Sequence, residues 1–157
     1  MVATTMPHIK VLLARLKEDH PGITFTPGDD YLWSATTRTL MYDAEASDGL
    51  YLLHELGHAL LGHANFTLDI ELLAQEREAW GFVCTELAKR YGVTTDDRII
   101  QDSLETYRDW LHARSCCPRC AQTGLQTKTS TYVCINCRCS WRPNDARRCA
   151  LRRYTLT

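Results

Sequence analysis

The chain has little of what secretion or membrane insertion requires. Its first thirty residues contain no basic region leading into an apolar stretch with a small-residue cleavage site, and no later apolar run approaches the ~20 residues of a bilayer span. The expectation is a soluble, cytoplasmic protein. Five prolines and eight glycines are too few for a low-complexity linker, and no internal repeat is visible. Acidic residues almost vanish from one end: residues 112–157 hold nine Lys or Arg against one Asp, whereas residues 1–111 hold nine against eighteen Asp or Glu. The formal charge of -1 conceals this asymmetry. The charge break coincides with the start of a cysteine cluster, which predicts one domain over residues 1–113 and a small module over 114–157.

Ile9, Leu12, Leu13 and Leu16 recur at helical spacing, predicting an amphipathic helix from Thr5 to His20, with Pro7 in its first turn and Pro21-Gly22 after it. Three short β-favouring stretches follow, 23–26, 31–34 and 39–42, separated by turn residues, and they predict a small antiparallel sheet. From about Asp48 to His63 the chain is apolar on nearly every side of a helical wheel, which marks a buried helix. Two further helices are expected. One is N-capped by Thr67, carries Asp69 and Glu71 in its first turn and runs to Tyr91 before Gly92; the other runs from roughly Asp97 to Ala113.

The buried helix carries His54-Glu55-Leu56-Gly57-His58. Histidines four apart project from one helical face, so both imidazoles can bind one zinc. A glutamate between them can take a proton from a zinc-bound water and deliver it to the leaving amine of a peptide, which makes Glu55 the candidate catalytic base. Without a metal, these polar groups on an apolar helix would each need another partner, because burying unpaired polar or charged groups costs several kcal/mol.

A third ligand is required, and Glu71, Glu76 and Glu78 compete for the role. Glu76 falls in the middle of the apolar stripe of Leu72, Leu73, Ala79, Trp80, Val83 and Leu87, while Glu71 and Glu78 lie to the other side. A carboxylate facing a core wants a cation. His63 does not fit a ligand register, since on a continuous helix it points about half a turn away from His54, and it reads as a helix-end histidine.

The segment LLHELGHALLGH, followed by Glu76-Arg77-Glu78-Ala79-Trp80-Gly81-Phe82 as ExxAxxF, resembles the ImmA/IrrE-type metallopeptidases, which are gluzincin-like enzymes, over roughly residues 8–91. The resemblance implies His54, His58 and Glu76 as ligands of a catalytic zinc and Glu55 as the base. It also implies a protein substrate, commonly a helix-turn-helix repressor or other regulator. Where family members often carry Asn after the alanine and a proline-containing continuation, this chain has Trp80 and then Cys84-Thr85-Glu86-Leu87. In gluzincin-like folds an extended substrate pairs with an edge strand beside the active-site helix, and Thr39–Tyr42 is the candidate here, with Tyr42 a conceivable oxyanion stabiliser.

The eight cysteines do not read as a disulfide framework. Cys117-Pro118-Arg119-Cys120 and Cys134-Ile135-Asn136-Cys137 form two CxxC knuckles with the spacing of a four-cysteine ribbon around a structural zinc, though Cys116 and Cys139 lie close enough to compete. Cys84 reads as a core residue, and Cys149 has no obvious partner. Arg114, Arg119, Lys128, Arg138, Arg142, Arg147, Arg148, Arg152 and Arg153, interleaved with Tyr132, Trp141 and Tyr154, suit nucleic-acid phosphates and bases, an acidic protein, or the acidic part of the chain itself.

Together these readings predict an α+β fold, a helical zincin-like domain with a small antiparallel sheet plus a C-terminal zinc ribbon, holding two zinc ions. The expected function is that of a metalloendopeptidase acting on a protein such as a transcriptional regulator. The alternatives are a zinc-ribbon nucleic-acid-binding regulator with a non-catalytic peptidase-like domain, and a SprT-like protease of DNA-bound proteins, whose third ligand would be a later histidine, His63 or His112.

Overall fold

The computed structural model describes residues 8–46, 49–145 and 150–157. Thr5 and Pro7 of the first expected helix, Asp48 of the second, and Arg147, Arg148 and Cys149 lie outside the described residues. The fold is α+β, with two small sheets and no helix among the described residues long and apolar enough to cross a membrane. The chain forms two compact units, Met1–Asn65 with Gln75–Asp97, and Phe66–Ala74 with Arg98–Thr157. The compositional break at residues 111–112 lies inside a helix of the second unit.

In the first unit, helix α1 (Ile9–Asp19) buries Ile9, Leu12, Leu13 and Leu16, the stripe its periodicity defines. Strands β1 (Thr24–Gly28), β2 (Leu32–Ser34) and β3 (Thr39–Asp43) form a sheet in the order β1-β3-β2. The pairing of β2 with β3 is antiparallel, but β1 runs parallel to β3, so the sheet is mixed where an antiparallel one was expected. The reason lies in the connections. Only the four residues between β2 and β3, ending in Arg38 at φ 51°, make a tight hairpin; β3 then inserts beside β1, with Thr24 opposite Thr39. Thr39–Asp43 is therefore the central strand, with both edges paired, and it cannot receive a substrate strand; the edges are β1 and β2.

Helix α2 (Leu50–Leu61) buries Leu50, Leu52, Leu53, His54, Leu56, Gly57 and His58. It stops two residues earlier than its pattern suggests, at Gly62, whose φ of 72° only glycine adopts without strain. Helix α3 (Asp69–Phe82) continues through a π-helical turn, Val83–Leu87, into α4 (Ala88–Tyr91), which ends at Gly92 in the same left-handed conformation. Its start is capped by Glu71, whose Oε2 accepts the Thr67 and Leu68 amides at 2.7 and 3.1 Å; these bonds hold the carboxyl below its usual range.

Helices α2 and α3 meet closely at Gly57, where a Cβ would sit 3.3 Å from the Ala79 carbonyl oxygen. Two small residues, with Ala79 fully buried, let the backbones approach and bring the histidine face of α2 against Glu76 and Trp80. A branched side chain at Gly57 has no room. Gly57→Val should cost about 1–3 kcal/mol from overpacking, seen as a lower midpoint in urea unfolding, and an unchanged midpoint would contradict this packing.

In the second unit, α5 (Asp97–Ser115) is followed by strands β4 (Leu125–Lys128), β5 (Thr131–Val133), β6 (Ser140–Pro143) and β7 (Arg153–Leu156), an antiparallel sheet in the order β4-β5-β6-β7. Its core is small: Tyr132 and Trp141, stacked with ring centres 5.6 Å apart, pack with Cys117, Cys134 and Cys139. Trp141 donates to the Arg114 carbonyl at 2.9 Å, and the buried Arg114 guanidinium and Tyr132 hydroxyl both meet the Asp69 carboxylate. Paired in this way, the charges can be buried.

Candidate metal centres

His54 and His58, one turn apart on α2, turn their Nε2 atoms toward each other at 3.1 Å. Glu76 on α3 places Oε2 3.0 Å from His54 Nε2 and Oε1 3.5 Å from His58 Nε2, and all three residues are buried. Glu55 also brings a carboxylate oxygen within 4.8 Å of the histidine nitrogens, but its Oε2 accepts the Trp33 amide of β2 at 2.8 Å. Of the other two carboxylates weighed for the third ligand, Glu71 caps α3 and Glu78 meets His63 at 3.0 Å. The structure thus brings His54, His58 and Glu76 together and sets Glu55 beside them.

Protons alone cannot satisfy this triangle. A neutral imidazole nitrogen is either a donor or an acceptor, so the contact between the two Nε2 atoms needs one N–H and one lone pair. Whichever ring supplies the lone pair then faces the carboxylate with no proton between them unless Glu76 is protonated. Burial pushes the Glu76 carboxyl up, but hydrogen bonds from His54 and His58 and their charge more than reverse this, holding it at about 2. For His58, burial acts downward, while the hydrogen bond and charge of Glu76, with the charge of Glu55, outweigh it and raise the pKa. A shared cation satisfies all three edges at once. Their lengths suit a tetrahedral zinc with bonds of about 2.0–2.1 Å, which separates neighbouring ligand atoms by about 3.4 Å.

The rest of the shell is aromatic and apolar. The His54 ring stacks on Trp80 with centres 4.0 Å apart, and Tyr51 meets Trp80 edge-on. His63 lies beyond the end of α2 rather than on it. Its amide bonds back to the His58 carbonyl at 2.9 Å across Gly62, and its Nδ1 lies 2.9 Å from His58 Nδ1, the nitrogen remote from the Glu76 contact. Sequence reasoning discounted His63 by extending the helix through Gly62; the signal that could have placed it was that glycine.

In the second unit Cys117, Cys120, Cys134 and Cys137 gather their sulfurs within 4.8 Å of one another, with Cys117–Cys137 at 3.6 Å and Cys120–Cys134 at 3.5 Å. A tetrahedral zinc–thiolate site has sulfur–sulfur edges of about 3.8 Å. Burial raises the Cys117 thiol, but the amides of Cys120 and Arg119 and the neighbouring thiols bring it down to about 6. At Cys137 the amide of Cys139 acts downward, yet burial and the other three sulfurs drive the thiol up to about 12. Four crowded thiolates repel one another, and a dication would relieve that repulsion.

The two competing cysteines are engaged elsewhere. Cys116 lies 3.7 Å from His112 on α5, and buried Cys139 points at the Ser140 carbonyl. Cys84 is half-buried in the π turn, only partly the core residue expected. The basic set is also thinned: Arg114 is buried, and Arg153 is half-buried and donates to the Cys116 carbonyl at 2.6 Å. Tyr132 and Trp141 are core residues and cannot stack on bases. Arg119, Lys128, Arg138, Arg142, Arg152 and Tyr154 are exposed.

The chain matches no family model, no curated protein and no solved structure. Cys134→Ser should remove one metal equivalent per chain, measured by elemental analysis, and collapse the near-ultraviolet circular dichroism of the stacked Tyr132–Trp141 pair. An unaltered aromatic signal would show that this core stands without its metal.

Proposed function

We propose that the protein is a zinc metallopeptidase of the ImmA/IrrE type, hydrolysing a peptide bond in a protein substrate at the His54–His58–Glu76 centre, with a second, structural zinc on Cys117, Cys120, Cys134 and Cys137. The observation that carries this reading is the buried triangle of two imidazoles and one carboxylate, with a second glutamate, Glu55, whose carboxylate also reaches within 4.8 Å of the histidine nitrogens while its Oε2 accepts the Trp33 amide. Two carboxylates on adjacent helices have separate roles. Glu76 holds both histidines, while Glu55 is anchored through Oε2 on the Trp33 amide, which leaves Oε1 to accept a proton.

Bound zinc would supply the Lewis acidity that lowers the pKa of a water and polarises the scissile carbonyl. Glu55 would be the group that accepts a proton at Oε1 and returns it to the departing amine. The Trp33 amide fixes the carboxylate for both transfers. Strand β2 has one edge on β3, and its Trp33 N–H points instead to Glu55 on α2. The strand next to the base is thus β2, and its outward Trp33 N–H serves to anchor Glu55.

Glu55→Gln should keep both zinc equivalents and lower cleavage of a peptide library, read by mass spectrometry, by about 10²-fold or more. Glu76→Ala should retain only the ribbon zinc. Cleavage surviving in both variants would remove hydrolysis from this centre.

A second reading concerns the ribbon. Arg142 and Tyr154 lie directly opposite each other across β6 and β7, and both are exposed, a pairing of cation and aromatic face that suits a single nucleic-acid strand. Under this reading Arg142→Ala combined with Arg152→Ala should weaken binding of a labelled single-stranded DNA and flatten its salt dependence by about one unit of slope per lost phosphate contact. Equal binding by the variant and the native chain would end it.

A further inference from the structure

The two histidines of the buried triangle are supported unequally. His54 has its ring stacked on Trp80, and its Nδ1 is buried without a hydrogen-bond partner. His58 instead heads a row of three side chains, with its Nδ1 2.9 Å from His63 Nδ1 and His63 Nε2 3.0 Å from Glu78 Oε2. The rings of His58 and His63 stand edge to face with centres 5.1 Å apart.

The direction of this row follows from the chemistry of imidazole. A neutral ring has one N–H and one lone pair, so the two Nδ1 atoms can bond only if one donates and the other accepts. When His58 presents its Nε2 lone pair to a cation, its proton sits on Nδ1 and is donated to His63 Nδ1. The proton of His63 is then on Nε2, where Glu78 accepts it. Each member fixes the tautomer of the next.

The backbone places His63 for this task. Gly62 at φ 72° reverses the chain, the His63 amide returns to the His58 carbonyl at 2.9 Å, and the His63 carbonyl accepts the Trp33 indole N–H at 3.3 Å. The His63 side chain is 10% exposed and that of Glu78 is 64% exposed, so water can replace Glu78 far more readily than anything can replace His63.

We infer that His63, oriented by Glu78, is a positioning residue for the metal centre: it holds His58 in the tautomer and orientation that present Nε2 to the cation. This inference rests on reading the His54–His58–Glu76 cluster as a zinc site. Partners of this kind are typically worth 10–100-fold in metal affinity.

The test is a zinc titration of the whole chain against a chromophoric chelator, with the ribbon zinc counted throughout as an internal reference. His63→Leu removes the acceptor while keeping bulk, and His63→Asn offers an amide oxygen in its place. The expected result is a loss of about 10–100-fold in affinity at the histidine site for His63→Leu, recovery of most of it in His63→Asn, and an unchanged ribbon equivalent in both. Glu78→Gln, whose amide oxygen and surrounding water still accept, should weaken binding by no more than about threefold. Native affinity in His63→Leu overturns the inference, and so does an equal loss in the Leu and Asn variants, which would make His63 a packing residue. A native chain that holds only the ribbon zinc overturns the zinc-site reading itself, and this inference with it.

Discussion

A carboxylate buried between two imidazoles among apolar side chains is the constraint around which the first unit is built. Glu76, His54 and His58 sit within 3.5 Å of one another, each nearly removed from water. Such a group is stable only if its charges and lone pairs are matched. The match requires the helices to come close, which Gly57 and Ala79 permit, and it requires the rings to be aimed, which Trp80 does for one and His63 for the other. Glu55, beside them, has one carboxylate oxygen held by the Trp33 amide. The strand order, the helix ends and the aromatic shell are conditions for one polar cluster to exist in an apolar place.

The parts of this arrangement legible in the sequence were those governed by fixed local periods. Histidines at i and i+4 share a helical face wherever the helix occurs, and Glu76 lies on the apolar stripe of α3 because a wheel is a property of the helix alone. The two CxxC knuckles were legible because a thiolate cluster tolerates few spacings. What escaped depended on where the chain changes direction. One glycine at positive φ removed His63 from the helix and returned it to His58. The sheet order was likewise hidden, since three short strands with turn residues between them read as a meander, and nothing local announces that β3 will insert between β1 and β2.

Composition also counts more basic and aromatic residues in the C-terminal module than the fold leaves exposed. Arginine and aromatic residues in the C-terminal module look like a set made for a partner, yet several are turned inward. Arg114 and Tyr132 converge on Asp69, Trp141 bonds the Arg114 carbonyl, and Arg153 bonds the Cys116 carbonyl. A module this small lacks apolar side chains to fill its centre, so it uses amphipathic ones and satisfies their polar ends internally. The charge that remains exposed is correspondingly smaller than the count suggests.

The two centres differ in what they do for the chain. Cys117 and Cys134 belong to the core of the second unit with Tyr132 and Trp141, so a metal held there would be part of the packing that joins the strands. The first unit has another source of stability: Leu12, Leu16, Leu40, Leu52, Leu53, Leu56 and Val83 are all fully buried. A centre with three protein ligands in such a scaffold can keep a coordination position for chemistry, whereas four thiolates cannot. The proposed division of labour between a structural and a reactive metal would therefore follow from where each unit finds its apolar surface.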